Sequence, residues 1–359
     1  MAQNYDIPTP KKRLLSMQLD PAQFERASDE EKQQQDVMAE STTFLKDGFR
    51  RLRRNPLAVF AGVVLLLVIL TMIIAPIVVP YSYEQIITVE GKRDKNAANM
   101  APFEYSQMEQ EYMEKYGVQV FPHILGTDEL GRDYFIRVVY GTRVSFMVGL
   151  VAAIMVALIG TIYGAISGYC GGKVDLIMMR IVDIIYSLPD LLIIILLSVV
   201  FKETLDLSKV PVIGKLGNNM VAMFIVFALL YWVGMARLVR GQILTIKNNE
   251  YVLAAKSMGA SGTRIVKKHI LPNCLSVIII TTAQQIPSAI FTESYLSFLG
   301  LGVSLPMPSL GSLANSARSG MQSYPMKLVF PAIAIVLIVL SFNLLGDALR
   351  DAFDPKLKK

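Results

Sequence analysis

Long uncharged apolar runs constrain this chain more than any other feature of its sequence. Five apolar runs contain no charged residue, and a sixth run, 184–201, contains Asp190 as its single charged residue. Because about 20 apolar residues at about 1.5 Å each cross the hydrocarbon core of a bilayer as a helix, these runs predict an all-α membrane protein with six transmembrane helices. The composition agrees, since 18% of the residues are charged, against about 25% in ordinary soluble domains. The five runs without any charge are 57–80, 144–170, 220–236, 274–292 and 328–345.

The distribution of basic residues predicts the orientation of these helices. Five basic residues directly precede the first run, and the segment 237–273 carries seven basic residues against Glu250 alone. The segment 81–143, on the other side, has seven basic and ten acidic residues. Cytoplasmic loops are enriched in Lys and Arg, so both termini and 237–273 are predicted to be cytoplasmic, as an even number of spans also requires. The net charge of +6 therefore reflects topology, and we expect no nucleic-acid partner.

The pattern divides the chain into six parts. The segment 104–117 is predicted to be helical, so part of 81–143 could form a small external docking domain. Pro189 is predicted to kink or begin the third span, and Pro287 and Pro331 are predicted to interrupt the fifth and sixth. The parts are a polar cytoplasmic tail (1–40), an amphipathic helix at the lipid interface (41–56), the first span (57–80), an extracytoplasmic segment (81–143), a core of five spans with a cytoplasmic loop at 237–273 (144–347), and a cytoplasmic tail (348–359).

Known catalytic and nucleotide-binding motifs are missing from the sequence. The nearest approach to a phosphate-binding loop, SGYCGGKV, has Ser167 in place of the first Gly and Val174 in place of the magnesium-binding hydroxyl. No Gly-x-Ser-x-Gly or His-Glu-x-x-His motif occurs, and GTDELGRD lacks the spacing of a calcium loop. We therefore expect no catalytic residue, no metal site and no cofactor bound by this chain itself.

Polar residues within or beside the predicted spans are candidates for a translocation path, because such groups are costly in a membrane. Glu293 could instead couple transport to protons, which would indicate a secondary transporter, or could simply bond a neighbouring helix. Gln284 and Gln285 could line a polar path or join two helices by hydrogen bonds. The candidates are Asp190, Gln284, Gln285, Glu293 and Asn343.

The stretch EYVLAAKSMGASGTRIVKKHILPN, residues 250–273, has the pattern of a protruding helical hairpin. Asn249 and Ser261 are predicted to cap its two helices, and Pro272 to stop the second one. The spacing of Tyr251, Ala255 and Met258 predicts one shared face. Gly259 and Gly262 permit a sharp turn. Such a slim, partly apolar tip suggests a shape that fits a groove in a partner.

This stretch resembles the coupling loop of ATP-binding-cassette importer permeases, whose motif is Glu-Ala-Ala, three residues, Gly, nine residues, Ile-x-Leu-Pro. Leu253 stands at the Glu position and His269 at the first position of the final element, so those two differ. Within the family the chain is similar to the dipeptide and oligopeptide permeases, also through HILGTDELGRDYFIRVVYGTRVS, FTESYLSFLGLGV and GDALRDAFDPKL. The matching positions are Ala254, Ala255, Gly259, Leu271 and Pro272.

The resemblance implies a type I importer permease fold in the bacterial cytoplasmic membrane. It also implies four kinds of partner: a second related permease, two cytoplasmic ATPases that bind ATP and Mg, an extracytoplasmic binding lipoprotein, and a peptide. Other substrates of the family, such as nickel chelates or glutathione, and a non-transporting scaffold that docks an ATPase, stay open. The residues that would contact the ATPase are Glu250, Tyr251, Ala254, Ala255, Lys256, Ser257, Met258, Gly259, Ala260 and Ser261, with His269, Leu271 and Pro272 closing the loop.

Overall fold

The computed structural model is mostly helical and describes residues 44–204, 218–303 and 307–353. A short antiparallel hairpin of strands β1 (Thr88–Val89) and β2 (Lys92–Arg93) precedes the third helix. A π-helical turn, Val266–Ile270, joins two helices. The helices are α1 Phe44–Arg54, α2 Pro56–Val78, α3 Gln107–Tyr116, α4 Tyr134–Cys170, α5 Gly172–Tyr186, α6 Asp190–Thr204, α7 Asn218–Leu230, α8 Trp232–Ile246, α9 Glu250–Ser257, α10 Gly262–Ile265, α11 Leu271–Phe298, α12 Leu310–Ala317 and α13 Met326–Phe353.

Five described helical segments are long and apolar enough to cross a membrane: Pro56–Val78, Tyr134–Cys170, Asn219–Ile246, Gly262–Phe298 and Met326–Phe353. The predicted sixth run, 184–201, overlaps two helices, Gly172–Tyr186 and Leu191–Phe201, which are bent by 88° relative to each other. The break lies at Pro189, in agreement with the prediction, because proline disfavours helical backbone at the residue before it. The described residues therefore contain up to six candidate spans if this bent pair counts as one.

Several helices are longer than their apolar runs. The helix α4 starts at Tyr134, so the last ten residues of the predicted external segment 81–143 belong to a membrane helix. The helix α13 extends to Phe353, beyond the predicted boundary at 347. Pro287 and Pro331 lie inside continuous helices, so the predicted interruptions there are wrong. The polar turns at the start of α4 and the end of α13 remain helical because backbone hydrogen bonds form whether or not the side chains are apolar.

The first span begins directly after α1, at a helix cap formed by Asn55. The side chain of Asn55 accepts hydrogen bonds from the backbone N–H groups of Leu57 (3.0 Å) and Ala58 (3.3 Å). Pro56 occupies the first turn of α2, where its missing N–H costs nothing. The described residues from 47 onward form one compact unit, whereas the predicted tail 1–40 lies outside the described residues.

The long helix α4 is the centre of the fold, with α8 and α11 packed against it and α13 packed against α11 and α2. Three glycines spaced four residues apart make the α4–α8 contact close. A Cβ at Gly164 would lie 2.5 Å from the carbonyl oxygen of Ala236, and one at Gly160 would lie 2.6 Å from the Cβ of Met235. Small residues at this spacing let the backbones of two membrane helices approach. Gly168 completes the row against Ile243.

Candidate functional site

The turn between α9 and α10 is built around Gly259. Its N–H donates to the carbonyl of Lys256 (3.0 Å), and the N–H of Ala260 donates to the carbonyl of Ala255 (3.1 Å). This pair of bonds is a Schellman motif, which requires a left-handed residue, and Gly259 has φ +81°. No atom lies within 4 Å of the position that its Cβ would take, so only the backbone demands glycine. The predicted glycine turn is confirmed at Gly259.

We call residues 250–270 the basic hairpin. The tip of the basic hairpin exposes large apolar side chains. Met258 is 82% exposed, Leu253 50% and Tyr251 44%. Exposed apolar groups that cluster at one place mark a contact surface. The predicted shared face of Tyr251, Ala255 and Met258 is wrong, because Ala255 is buried. Other predicted contact residues are exposed around this tip: Glu250, Ala254, Lys256, Ser257 and Ser261.

The inner side of the basic hairpin is anchored in the core. Val252 and Ala255 pack in one apolar cluster with Ile265 and Ile270 of the second arm and with Ile243 of α8. This contact joins the hairpin to α8, because a close-packed interior transmits strain between the elements that form it. The Ala-Ala pair is therefore split: Ala254 faces outward and Ala255 inward.

The second arm continues into the membrane without a stop. The N–H of Leu271 donates to the carbonyl of Val266, which is the π-helical pattern, and Pro272 lies in the first turn of α11. The missing N–H of Pro272 is accommodated there, so the predicted stop at Pro272 is wrong. His269 is half-buried, and its carbonyl accepts a bond from the Asn273 side chain (2.7 Å). The predicted side-chain caps from Asn249 and Ser261 are not formed either.

An ion pair and a hydrogen bond to a backbone carbonyl connect the base of the basic hairpin to neighbouring helices. Arg240 of α8 donates two hydrogen bonds to Asp175 at the start of α5, at 2.5 and 2.6 Å. Lys247, after α8, donates to the carbonyl of Gly168 at the end of α4 (3.0 Å). Bidentate arginine pairs fix orientation as well as distance. The base of the hairpin is therefore held against both α4 and α5.

Three of the predicted path residues lie beside cavities along α11 and α13. Gln284 lines a cavity of about 640 Å³ between α8, α11 and α13, and its amide donates to Asp347 (3.2 Å). Gln285 lines a cavity of about 270 Å³ beside Tyr231. Asn343 lines one of about 290 Å³. For Asp190, the structure describes the backbone at the start of α6 but not the side chain.

Glu293 does not face any of these cavities. It is fully buried and accepts hydrogen bonds from Ser145 of α4 (2.6 Å) and from Ser297 one turn further along α11 (2.7 Å). The N–H of Leu310, at the start of α12, donates to the same Ser145 hydroxyl (3.3 Å). Glu293 therefore joins α4, α11 and α12, and its assignment to the path is not supported by its position. Ser145 was not predicted, because it lies 148 residues away in sequence.

The 79–133 segment contains a buried charged cluster that sequence reasoning missed. His123 is fully buried between Asp133 (Nδ1···Oδ2, 2.8 Å) and Glu109 (Nε2···Oε1, 3.1 Å). Burial lowers the pKa of His123, but the bonds to Asp133 and Glu109 and their negative charges outweigh it and raise the pKa to about 9. Asp133 also accepts the N–H of Ile136 and so caps α4. The cluster thus links α3 to the start of a membrane helix.

In the stretch GTDELGRD, the side chain of Asp128 stabilises a turn. One carboxylate oxygen accepts the N–H groups of Leu130 and Arg132 (both 2.9 Å), and the other pairs with the Arg132 side chain (2.7 Å). Aspartate stabilises turns in this way. The side chain of Arg137 adds a further pair with Asp128 at 3.3 Å.

Comparison with known proteins places the chain in a family. Residues 160–359 match the binding-protein-dependent transport system inner membrane component family, and the chain belongs to it. Residues 43–102 match the N-terminal transmembrane domain of oligopeptide transport permease C. The chain is accordingly a permease subunit of an ATP-binding-cassette importer and a multi-pass protein of the bacterial plasma membrane. The family inferred from the four resembling stretches and the helical membrane fold predicted from the apolar runs are confirmed.

The chain aligns with permease relatives over nearly the whole length of each. The chain is 38% identical to the oligopeptide transport system permease protein of Bacillus subtilis, over 94% of this chain and 97% of the relative. It is 40% identical to the dipeptide transport system permease protein of the same organism, over 90% and 89%. It is 36% identical to a glutathione transport system permease protein of Pectobacterium atrosepticum, over 87% and 91%.

Proposed function

We propose that this chain and a second related permease form the translocation path of an importer for oligopeptides or dipeptides. An extracytoplasmic binding lipoprotein would deliver the peptide, and two cytoplasmic ATPases would bind ATP and Mg and hydrolyse the nucleotide. This chain would bind no cofactor and catalyse no reaction. The names of the oligopeptide and dipeptide relatives support the choice of substrate.

The exposed apolar tip of the basic hairpin carries this proposal. The exposure of Met258 and Leu253 to water is unfavourable in free energy, because apolar surface is more stable when it is removed from water. Binding of the tip in a groove of an ATPase would remove this cost. The buried side of the hairpin would pass movement of the ATPases to α8 through Ala255 and Ile243. Rocking of the helices would then open the path alternately to the two sides of the membrane.

The half-buried polar side chains of α11 support the location of the path. Gln284 and Gln285 lie near the middle of a membrane helix, and this part of α11 is only half-buried. Lipid does not satisfy amide groups, so this surface should face a water-filled path or the second permease. Neutral amides can hydrogen-bond any peptide backbone, which suits a carrier of varied peptides.

Two substitutions at the tip test the coupling assignment. Gly259→Asp places a side chain on a left-handed residue and distorts the turn, while Met258→Ala removes the apolar anchor without touching the backbone. Loss of a central interface anchor commonly costs about 2 kcal/mol, or about 30-fold in affinity. We expect both variants to reach the membrane at normal levels but to lose most peptide uptake and the ATPase stimulation by binding protein.

Thr263→Ala, an exposed position on the second arm of the same hairpin, is the matched control and should transport normally. Normal uptake with intact ATPase stimulation in both tip variants would show that the hairpin is not the coupling element. Competition by glutathione against a labelled peptide would distinguish the two substrate classes among the relatives.

The rival mechanism of proton coupling through Glu293 makes a different prediction for uptake. Its carboxylate is enclosed by serine hydroxyl groups and lacks a second carboxylate partner among the described residues that contact it. This position favours a structural role. Uptake that survives loss of the ATPases and collapses with the proton gradient would favour the rival. A scaffold without transport activity would accumulate no peptide in vesicles that contain every partner.

A further inference from the structure

An apolar groove lies between the last turns of α4 and the second arm of the basic hairpin. Its volume is about 550 Å³. One wall is formed by α4 from Thr161 to Cys170, and the other by residues between Gly262 and Leu271. Nine residues of helix separate Thr161 from Cys170, so the groove is about 13.5 Å long. That length is close to the hydrocarbon depth of one leaflet, which is about 15 Å.

The walls of the groove are mostly apolar and partly exposed. Ile162 and Ile166 are 60% and 47% exposed, and both line the groove. Gly262 allows the second arm to approach α4 at the floor, since a Cβ there would lie 2.8 Å from the ring of Tyr169. Thr161 also lines the groove, although its hydroxyl is inaccessible to solvent and has no hydrogen-bond partner among the described residues.

The mouth of the groove is strongly basic. Lys267 lines it, and Arg264 and Lys268 lie beside it on the same arm, all three exposed. None of the three forms an ion pair with any part of the chain that the structure describes. The sequence contains no acidic residue between Glu250 and Glu293, so nothing on the second arm neutralises this charge.

We propose that this groove binds one anionic phospholipid, with an acyl chain along α4 and the phosphate over Lys267. Each Lys or Arg near an anionic lipid surface contributes about 1 kcal/mol, and basic pockets between membrane helices bind anionic headgroups. The site lies where α4 ends and the basic hairpin begins. A bound acyl chain would fill the gap between them and stiffen the connection on which the proposed coupling rests.

Lipid retention by the purified full-length chain tests the proposal without ATP or any partner, so its failure would leave the permease function untouched. Native mass spectrometry would follow titration with dioleoyl phosphatidylglycerol and, separately, dioleoyl phosphatidylcholine. We expect one phosphatidylglycerol to be retained at least about tenfold more tightly than phosphatidylcholine, given about 1 kcal/mol for each nearby charge.

Two variants locate the site. Lys267→Glu reverses the charge at the mouth, and Thr263→Trp places a bulky ring from an exposed position into the groove. Each should weaken phosphatidylglycerol binding by about tenfold or more, because it removes either the charge or the space. The matched control, Lys256→Glu, makes the same charge change on α9, outside the groove, and should leave binding unchanged.

Three results would overturn the proposal. The first is equal retention of the two lipids, which indicates nonselective contact with the surrounding bilayer. The second is equal weakening by Lys267→Glu and Lys256→Glu. The third is a photoreactive acyl chain that fails to label 161–170 or 262–271 in the assembled transporter, with a partner subunit crosslinked there instead, which would mean that protein fills the groove.

Discussion

His123 illustrates how much a single buried residue contributes to the organisation of the 79–133 segment. Its imidazole bridges Glu109, in the first turn of α3, and Asp133, the cap of α4. Tyr81 stacks on the ring with a centroid distance of 4.8 Å. A protonated ring donates from both nitrogens, so it satisfies both carboxylates at once. The segment is thereby fastened to a membrane helix by one charged side chain.

The stability of this contact should depend on pH. The pKa of His123 is raised from 6.5 to about 9 in the folded chain. A group whose pKa is raised by folding stabilises the folded state fully at pH values below its pKa in the unfolded state. For His123 this stabilisation is about 3 kcal/mol at most, and it is lost as the pH rises through about 9. We expect the thermal midpoint of the purified protein to fall between pH 7 and pH 9.5.

The variant His123→Gln should be less stable at pH 6 and should lose this pH dependence. The matched control is His269→Gln, which replaces the only other histidine and should retain it. A His123→Gln protein with an unchanged pH profile would contradict the assignment of the effect to this cluster.

The contact between α4 and α8 shows how a pattern of small residues becomes structure at the level of the element. Gly160, Gly164 and Gly168 each face the α8 backbone or the base of an α8 side chain. Because α8 leads directly into the basic hairpin, a close contact between α4 and α8 would make α4 move together with the hairpin. A loosened contact should weaken both stability and transport.

Gly164→Ala tests this contact. The added Cβ would lie 2.5 Å from the carbonyl oxygen of Ala236, so the helices must separate. Overpacking of this kind costs about 1–3 kcal/mol. The matched control is Gly241→Ala on α8, where no atom lies within 4 Å of the new Cβ; it should be neutral or stabilise by about 0.5–1 kcal/mol. Unfolding in mixed detergent micelles measures both, and equal stabilities would show that close approach is unimportant.

At the scale of the whole molecule, Phe103 is a further candidate for partner contact. It is 64% exposed and has φ +62°, a backbone conformation that is unfavourable for an aromatic residue. The N–H of Phe103 donates to the carbonyl of His123 (2.8 Å), which holds it in place. An exposed ring kept in a strained conformation suggests a role in docking the binding protein.

Phe103→Gly should separate stability from docking. Relief of the left-handed backbone should keep or raise the thermal midpoint, by about 1 kcal/mol in stability. Affinity for the binding protein, measured with the complete transporter in nanodiscs, should fall. Phe103→Tyr retains the ring and should bind normally. Unchanged affinity in the glycine variant would remove Phe103 from the docking surface while leaving the rest of the proposed function intact.

The spans, the glycine turn and the exposed tip could be predicted from sequence because each depends on local properties. The length of an apolar run sets a membrane helix, and only glycine adopts the left-handed backbone at Gly259 without strain. The serine partners of Glu293 and the buried position of Ala255 could not be predicted. Both depend on which face of a helix meets a neighbour that is distant in sequence.

Hydrophobic length and turn chemistry act within a few turns of helix, so they were enough to predict the membrane spans and an exposed basic hairpin, whereas the permease family followed from the resemblance of four separate stretches. The placement of the polar groups relative to the cavities depended on how the helices pack. The tertiary structure buried Glu293 against Ser145, left Gln284 and Gln285 beside cavities, and turned His123 into a link between two helices. Burial is a property of the packing between helices, and no periodicity within one helix specifies the helix that packs against it.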